Sequence, residues 1–263
     1  MKLGRYELNN IYKGDAYELI KELPDKCVDL IITDPPYQID GLHTGTGILK
    51  DRAKNLNFYV NQMMDSGIDK GIDLKILDDF VRIMKKINIY IFCNKEQIYD
   101  YLTYFVKERN CNWEMLVWAK TNVPPFTNGH YLKDKEYCLF FWEQGVKLNG
   151  DYNTLKTVYV SKTNIGDKKD FAHPTIKPLE LVKNLVENSS MRGGVIFDAF
   201  SGSGTSLVAA KELGRQYIGF EIDNKFYEIA KNRLDGVNIK GEMNLFYQEE
   251  YEQMNLFENK EEE

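Results

Sequence analysis

The chain has 263 residues, 43% hydrophobic and 28% charged, which is enough apolar content for one substantial domain and an ordinary charge density for a soluble protein. No apolar run reaches the length of a membrane span and the leading MKLGRYELNN has no signal-peptide core, so a cytoplasmic protein is expected. The net charge of −6 is carried by the segment 236–263, where two Lys stand against eight Glu; the rest balances 32 basic with 32 acidic residues, which excludes a globally basic coat but leaves room for a local positive groove.

Asp15-Ala16 precedes a short helix, Tyr17 to Leu23, and the apolar run Val28 to Thr33 reads as a buried strand. That strand ends in Asp34-Pro35-Pro36-Tyr37. Each proline fixes its own φ and restricts the residue before it, so the Asp34 and Pro35 carbonyls are held in one direction. An acceptor carboxylate, rigid carbonyls and a flat ring suit a planar group bearing an exocyclic NH2, as a nucleobase does. The plain alternative is a proline-capped strand end with an incidental Tyr.

Residues 38–75 are rich in Gly, Asp and Asn without periodicity, too long for an ordinary connection, and read as a mobile functional loop or insertion. Ile76, Leu77, Phe80, Met84 and Ile87 fall on one helical face. Ile89 to Cys93 reads as a strand, 95–108 as a helix, and Trp113–Ala119 and Tyr137–Trp142 as two further strands, with Trp113 expected in the core. Cys27, Cys93, Cys111 and Cys138 form no CxxC pair, and three lie in apolar or aromatic runs, so buried thiols are expected rather than disulfides or zinc ligands. Between Asn149 and Phe171 the chain turns polar and basic with interleaved aromatics.

From His173-Pro174-Thr175-Ile176-Lys177-Pro178 onward the pattern is regular: a helix over 179–190, a break at Gly193-Gly194, a strand Val195–Asp198, a helix Ser203–Leu213, a strand Tyr217–Glu221 and a helix Phe226–Leu234. This alternation predicts a parallel sheet covered on both faces. Between the first strand and helix of that series lies Asp198-Ala199-Phe200-Ser201-Gly202-Ser203-Gly204-Thr205, where glycines permit close approach of a ligand to backbone. A P-loop needs a Lys after its last glycine and a dinucleotide fold a third glycine, where Leu207 stands. A nucleoside ligand without pyrophosphate, such as S-adenosylmethionine, remains, beside the plain alternative of a tight turn. Glu221, about 20 residues on, ends the next strand where a carboxylate can hold ribose hydroxyls.

Taken together, these motifs resemble a known family. Asp198 to Thr205 resembles the FxGxG cofactor motif, and Asp34 to Tyr37 the DPPY catalytic motif, of adenosylmethionine-dependent DNA amino-methyltransferases. Their order, with DPPY first, is similar to the circularly permuted beta group; His173 to Pro178 resembles that group's HPTxKP element and Lys13-Gly14-Asp15-Ala16 its GD element. The resemblance implies an α/β, Rossmann-like methyltransferase fold: a mostly parallel seven-stranded sheet with one antiparallel strand, helices on both faces, in one permuted domain over 1–235.

It further implies a catalytic set of Asp34, Pro35, Pro36 and Tyr37, and a cofactor set with Asp15 and Ala16 at the adenine and Glu221 and Ile222 at the nucleoside. Phe200, Gly202, Gly204 and Thr205 would line the methionine portion beside Ala199, Asp198 would order the turn or meet the methionine ammonium, Lys177 would lie near the carboxylate, and Asp34 belongs to both sets. Lys177 has the alternative of a solvated charge beside two prolines. The methyl group is already activated on a sulfonium, so alignment suffices and neither a strong base nor a metal is needed. Asp before the prolines points to adenine N6 in the family; cytosine N4, or an idle DNA-binding relative, are the alternatives.

Double-stranded DNA is the implied partner, its target base flipped out. Lys120, Lys156, Lys162, Lys168 and Lys169, within or beside the segment 126–172, are expected at the DNA, and Trp118, Lys120 and Pro124-Pro125 resemble a late family motif near the target pocket. In the acidic tail, Gln253-Met254-Asn255-Leu256-Phe257 resembles a peptide that docks on the bacterial sliding clamp, the alternative being a helix packed on the domain. A restriction-modification system or phage is the natural setting, and either a monomer or a homodimer is compatible.

Overall fold

The computed structural model describes residues 2–37, 71–123, 131–162 and 176–237. Lys168 and Lys169, His173, Pro124-Pro125, the Gly-rich segment 38–70 and the clamp-like peptide lie outside them.

In chain order the elements are β1 (Lys2–Leu3), β2 (Tyr6–Glu7), β3 (Asn10–Lys13), α1 (Ala16–Leu19) continued by a 3-10 turn Ile20–Glu22, and β4 (Leu30–Thr33). Then come α2 (Ile76–Ile83), β5 (Asn88–Cys93), α3 (Ile98–Leu102) continued by a π-helical turn Thr103–Lys107, β6 (Asn112–Lys120), β7 (Lys135–Trp142) and β8 (Val158–Ser161). The last third is α4 (Leu179–Ser189), β9 (Val195–Asp198), α5 (Thr205–Glu212), β10 (Gln216–Glu221) and α6 (Asn224–Leu234).

β1 and β2 form a small antiparallel ribbon; the other strands form one sheet in the order β3-β10-β9-β4-β5-β7-β6-β8. Only β7 runs against its neighbours, β5 and β6. The sheet has eight strands where seven were expected. The extra one, β8, pairs with the edge of β6 in parallel, Val117 opposite Val158. It arises from Val158-Tyr159-Val160 within the segment taken as polar, a β-branched and aromatic run whose valines stay 56% and 66% exposed.

Side chains alternate across the sheet as period two requires. Ile31, Ile89, Ile91, Phe197 and Phe220 face one core with α1, α2 and α3; Leu30, Ile32, Tyr90, Phe92 and Ile196 face the other with α4, α5 and α6. α2 buries Ile76, Leu77, Phe80 and Ile83, each burial worth about 1.5–3 kcal/mol. Met84 and Ile87, expected on the same helix, lie beyond its end but are still buried, because Met84 turns extended and bridges Val28. Trp113 is 41% exposed rather than core. It opens β6, and the covered residues of that strand are Leu116 and Trp118, on the opposite face.

From β9 the chain moves outward to β10, whereas from β4 it moves the other way to β5. The boundary between β9 and β4 is therefore a topological switch point, where a crevice opens beyond the carboxyl ends of the strands. β7, being antiparallel, brings its amino end to this same edge, with Tyr137 opposite Cys93.

Candidate active site

Asp198 closes β9 and is buried. Its Oδ1 accepts from the Thr33 hydroxyl at 2.9 Å and from the Phe200 N–H at 3.1 Å, while the Ser206 hydroxyl donates to Oδ2. Burial pushes this carboxyl up to about 7, against these donors. Asp198 thus orders the turn, one of its two expected roles. Gly204 sits at φ +75 as the cap of α5, and a side chain there would bring a Cβ to 3.0 Å from that of Ala230. From α6, the buried Arg233 donates to the Ser203 carbonyl at 2.7 Å and the Thr205 hydroxyl at 2.9 Å, bracing the loop from behind.

Glu221 ends β10 and accepts from Gly202 N–H at 2.7 Å and Asp223 N–H at 2.8 Å. Burial raises its pKa, which those N–H groups partly offset. Beside it, Ile222 is 62% exposed. An acceptor carboxylate next to Ile222 and Phe226, with glycine backbone close by, fits an adenosine-like group: hydroxyls on Glu221 and an apolar surface for the ring.

At the end of β4, Tyr37 donates from its hydroxyl to Asp34 Oδ1 at 2.9 Å, and Gln97 donates to the Pro36 carbonyl at 3.0 Å, which braces the diproline turn. Lys177, just ahead of α4, is not a solvated charge: its side chain is 7% exposed and pairs with Asp34 Oδ2. The ammonium also lies 3.3 Å from Glu136 Oε2, 5.1 Å from the Phe92 ring centre and 5.6 Å from that of Tyr37. Burial pulls the Lys177 pKa down, but the two carboxylates outweigh it and hold it above its ordinary value. Burial raises that of Asp34, opposed by Lys177.

One cleft runs from Glu221, Ile222 and Phe226 past the glycine loop to Asp34, Tyr37 and Lys177. Every residue expected at the cofactor lines it except four. Ala199 is in the core, Gly204 faces Ala230, Asp15 caps α1 through the Tyr17 N–H at 2.9 Å, and Ala16 is buried in that helix. Lys120 does not point outward as a DNA-contacting residue should: its side chain is 15% exposed and pairs with Glu136, 4.8 Å above the Trp118 ring. Lys156 and Lys162 are exposed.

Glu136 and Gln97 escaped sequence reading. Glu136 stands one residue before an aromatic strand and looks like its polar flank; only the antiparallel pairing of β7 reveals that it reaches the cleft. Burial works against its charge, yet Lys177 and Lys120 hold its pKa below the usual carboxylate range.

A sheet of this order, with a glycine loop, an acidic strand end and a diproline lip at one switch point, defines a Rossmann-like methyltransferase. Residues 28–232 match the family model described as DNA methylase, and the chain belongs to that family, the adenosylmethionine-dependent DNA amino-methyltransferases. It is similar to the type II methyltransferase M.HinfI of Haemophilus influenzae, 30% identical over 257 residues, covering 86% of this chain and 68% of that relative. It is 26% identical to M2.MboI of Moraxella bovis over 244 residues, covering 85% and 86%. Among solved structures, the M1.HpyAVI–SAM complex has a TM-score of 0.63 at 24% identity, covering 86% of this chain and 98% of that one. The cytosine-N4-specific PvuII DNA methyltransferase has a TM-score of 0.57 at 16% identity, covering 86% and 93%.

Proposed function

We propose that this DNA methyltransferase modifies the N6 of adenine in a base turned out of the duplex, with S-adenosylmethionine as donor. The observation that carries the reading is that Asp34 opens into the same cleft as the glycine loop and Glu221. Bound there, the donor would supply a methyl group already activated on sulfur.

An exocyclic amine is a poor nucleophile because its lone pair is delocalised into the ring. Asp34, accepting one amine N–H, would favour the tetrahedral nitrogen of the transition state. A carboxylate also stabilises the positive charge that develops on that nitrogen. Tyr37 offers a face for the extruded base, which recovers about 1–3 kcal/mol of a flipping cost of a few kcal/mol. Lys156 and Lys162, exposed on either side of β8, suit phosphate contacts, whereas Lys120 is committed to Glu136.

Asp34 supports adenine through the family resemblance; the fold is shared with a cytosine-N4-specific enzyme and does not discriminate. Mass spectrometry of nucleosides from DNA of expressing cells tests the assignment, and methylome sequencing adds the site. N6-methyladenine within one short sequence is the expected product. N4-methylcytosine in its place overturns the choice of base.

A further inference from the structure

Both oxygens of the Asp34 carboxylate already have partners: Tyr37 on Oδ1 and Lys177 on Oδ2. An amino group entering the cleft meets an ammonium already on Oδ2, a stronger donor that draws on the same carboxylate charge. Lys177 cannot retreat to water, since it is buried among Phe92, Tyr37, Asp34 and Glu136. Among the described residues, the other carboxylate paired with it is Glu136. Glu136 Oε2 is buried, lies 3.3 Å from the Lys177 nitrogen, and accepts no hydrogen bond among the described residues. That oxygen is held by charge but not by a well-formed hydrogen bond, which a closer approach of the ammonium would supply.

We propose that Glu136 is a positioning residue for methyl transfer: when the target amino group arrives, Glu136 Oε2 takes the Lys177 ammonium and leaves Asp34 Oδ2 free to accept the amino N–H. The inference rests on the amino-methyltransferase reading of the cleft.

The movement required is small. Closing 3.3 Å to a charge-assisted length of about 2.8 Å needs roughly half an ångström at the tip of a flexible side chain. Lys120 holds the other oxygen, Oε1, and so fixes the Glu136 carboxylate with Oε2 turned to the cleft. The four side chains carry two positive and two negative charges throughout, so the exchange moves no proton and no net charge.

The test reads recognition of the amino group directly. DNA carrying either the target base or its analogue lacking the exocyclic amino group (purine for adenine, 2-pyrimidinone for cytosine) is titrated by anisotropy with S-adenosylhomocysteine present. The affinity ratio of the pair is compared between variants, which cancels phosphate contacts and flipping cost. Glu136→Gln is expected to lower that ratio about tenfold, and kcat by a similar factor, with S-adenosylhomocysteine affinity retained. Adding Lys177→Met to Glu136→Gln is expected to restore the ratio, because nothing then occupies Asp34 Oδ2. A ratio within twofold of wild type in Glu136→Gln, or no recovery in the double variant, overturns the proposal. Lys177→Met alone guards against a misfolded Glu136 variant: it should keep or increase the ratio, and a loss overturns the role. Methyl on cytosine N4 in wild-type product would refute the adenine assignment alone, leaving the ratio to be read with the cytosine pair.

Discussion

The Thr33 hydroxyl donates to Asp198 Oδ1 at 2.9 Å, joining the strand that ends in the diproline turn to the strand that opens the glycine loop, across 165 positions of chain. Both groups are buried, and this bond extends the β4–β9 pairing, which ends with Ile31 opposite Phe197, to the cleft. Replacing Thr33 by Val keeps the shape and removes the donor. Loss of about 1–3 kcal/mol of stability is expected in urea unfolding, since a buried carboxylate loses a partner. The cofactor KM should rise with it. A variant as stable as wild type would show that the bond does not tie the halves together.

Asp198 also predicts a pH dependence. Its folded pKa, about 7, lies above the ordinary carboxylate value, so the folded protein holds a proton that the unfolded chain has released. The contribution to stability is therefore full below the unfolded pKa, near 4, falls as pH rises, and is lost above about 7. Subtracting the melting curve of Asp198→Asn against pH from that of wild type should isolate this decline between pH 4 and 7. A flat difference would mean that the Thr33, Phe200 and Ser206 donors already compensate for burial.

Asp34→Ala should retain S-adenosylhomocysteine binding, because Glu221 and the glycine loop are untouched, while transfer falls about 100- to 1000-fold, the usual cost of one transition-state contact. Isothermal titration and tritiated methyl incorporation separate the two effects. Turnover near the wild-type rate would remove Asp34 from the chemistry.

Gly204→Ala strains two things at once: a left-handed φ of +75 and a 3.0 Å approach to Ala230. About 1–3 kcal/mol of destabilisation follows from such backbone strain, and the start of α5 should shift. Weaker cofactor binding in calorimetry is the expected functional sign, with an unchanged affinity arguing that the loop tolerates the shift.

The elements with strong local signals were legible in the sequence. β9, the glycine loop, α5 and β10 were readable because the apolar period, the punctuating glycines and the terminal carboxylate all lie within 195–221. β4 with Asp34 to Tyr37 was readable because two prolines leave the turn little freedom. Less visible was β3, four residues whose place is given by pairing with β10, Asn10 opposite Ile218. β8 was hidden by its polar neighbours, and Trp113 was misjudged because a large ring on a strand reads as core wherever the strand lies.

By itself the sequence determined which chemical groups are present and their local shape: a carboxylate on a rigid lip, a glycine loop entering a helix, an acid at a strand end. Only the tertiary structure decided which charges meet. Glu136 reaches Asp34's corner because β7 runs antiparallel and delivers its first residues to the edge where the parallel strands finish. Lys120 and Lys177 turn inward because four ionic groups can leave water together only when each finds an opposite, and that pairing depends on strand register, which composition does not encode.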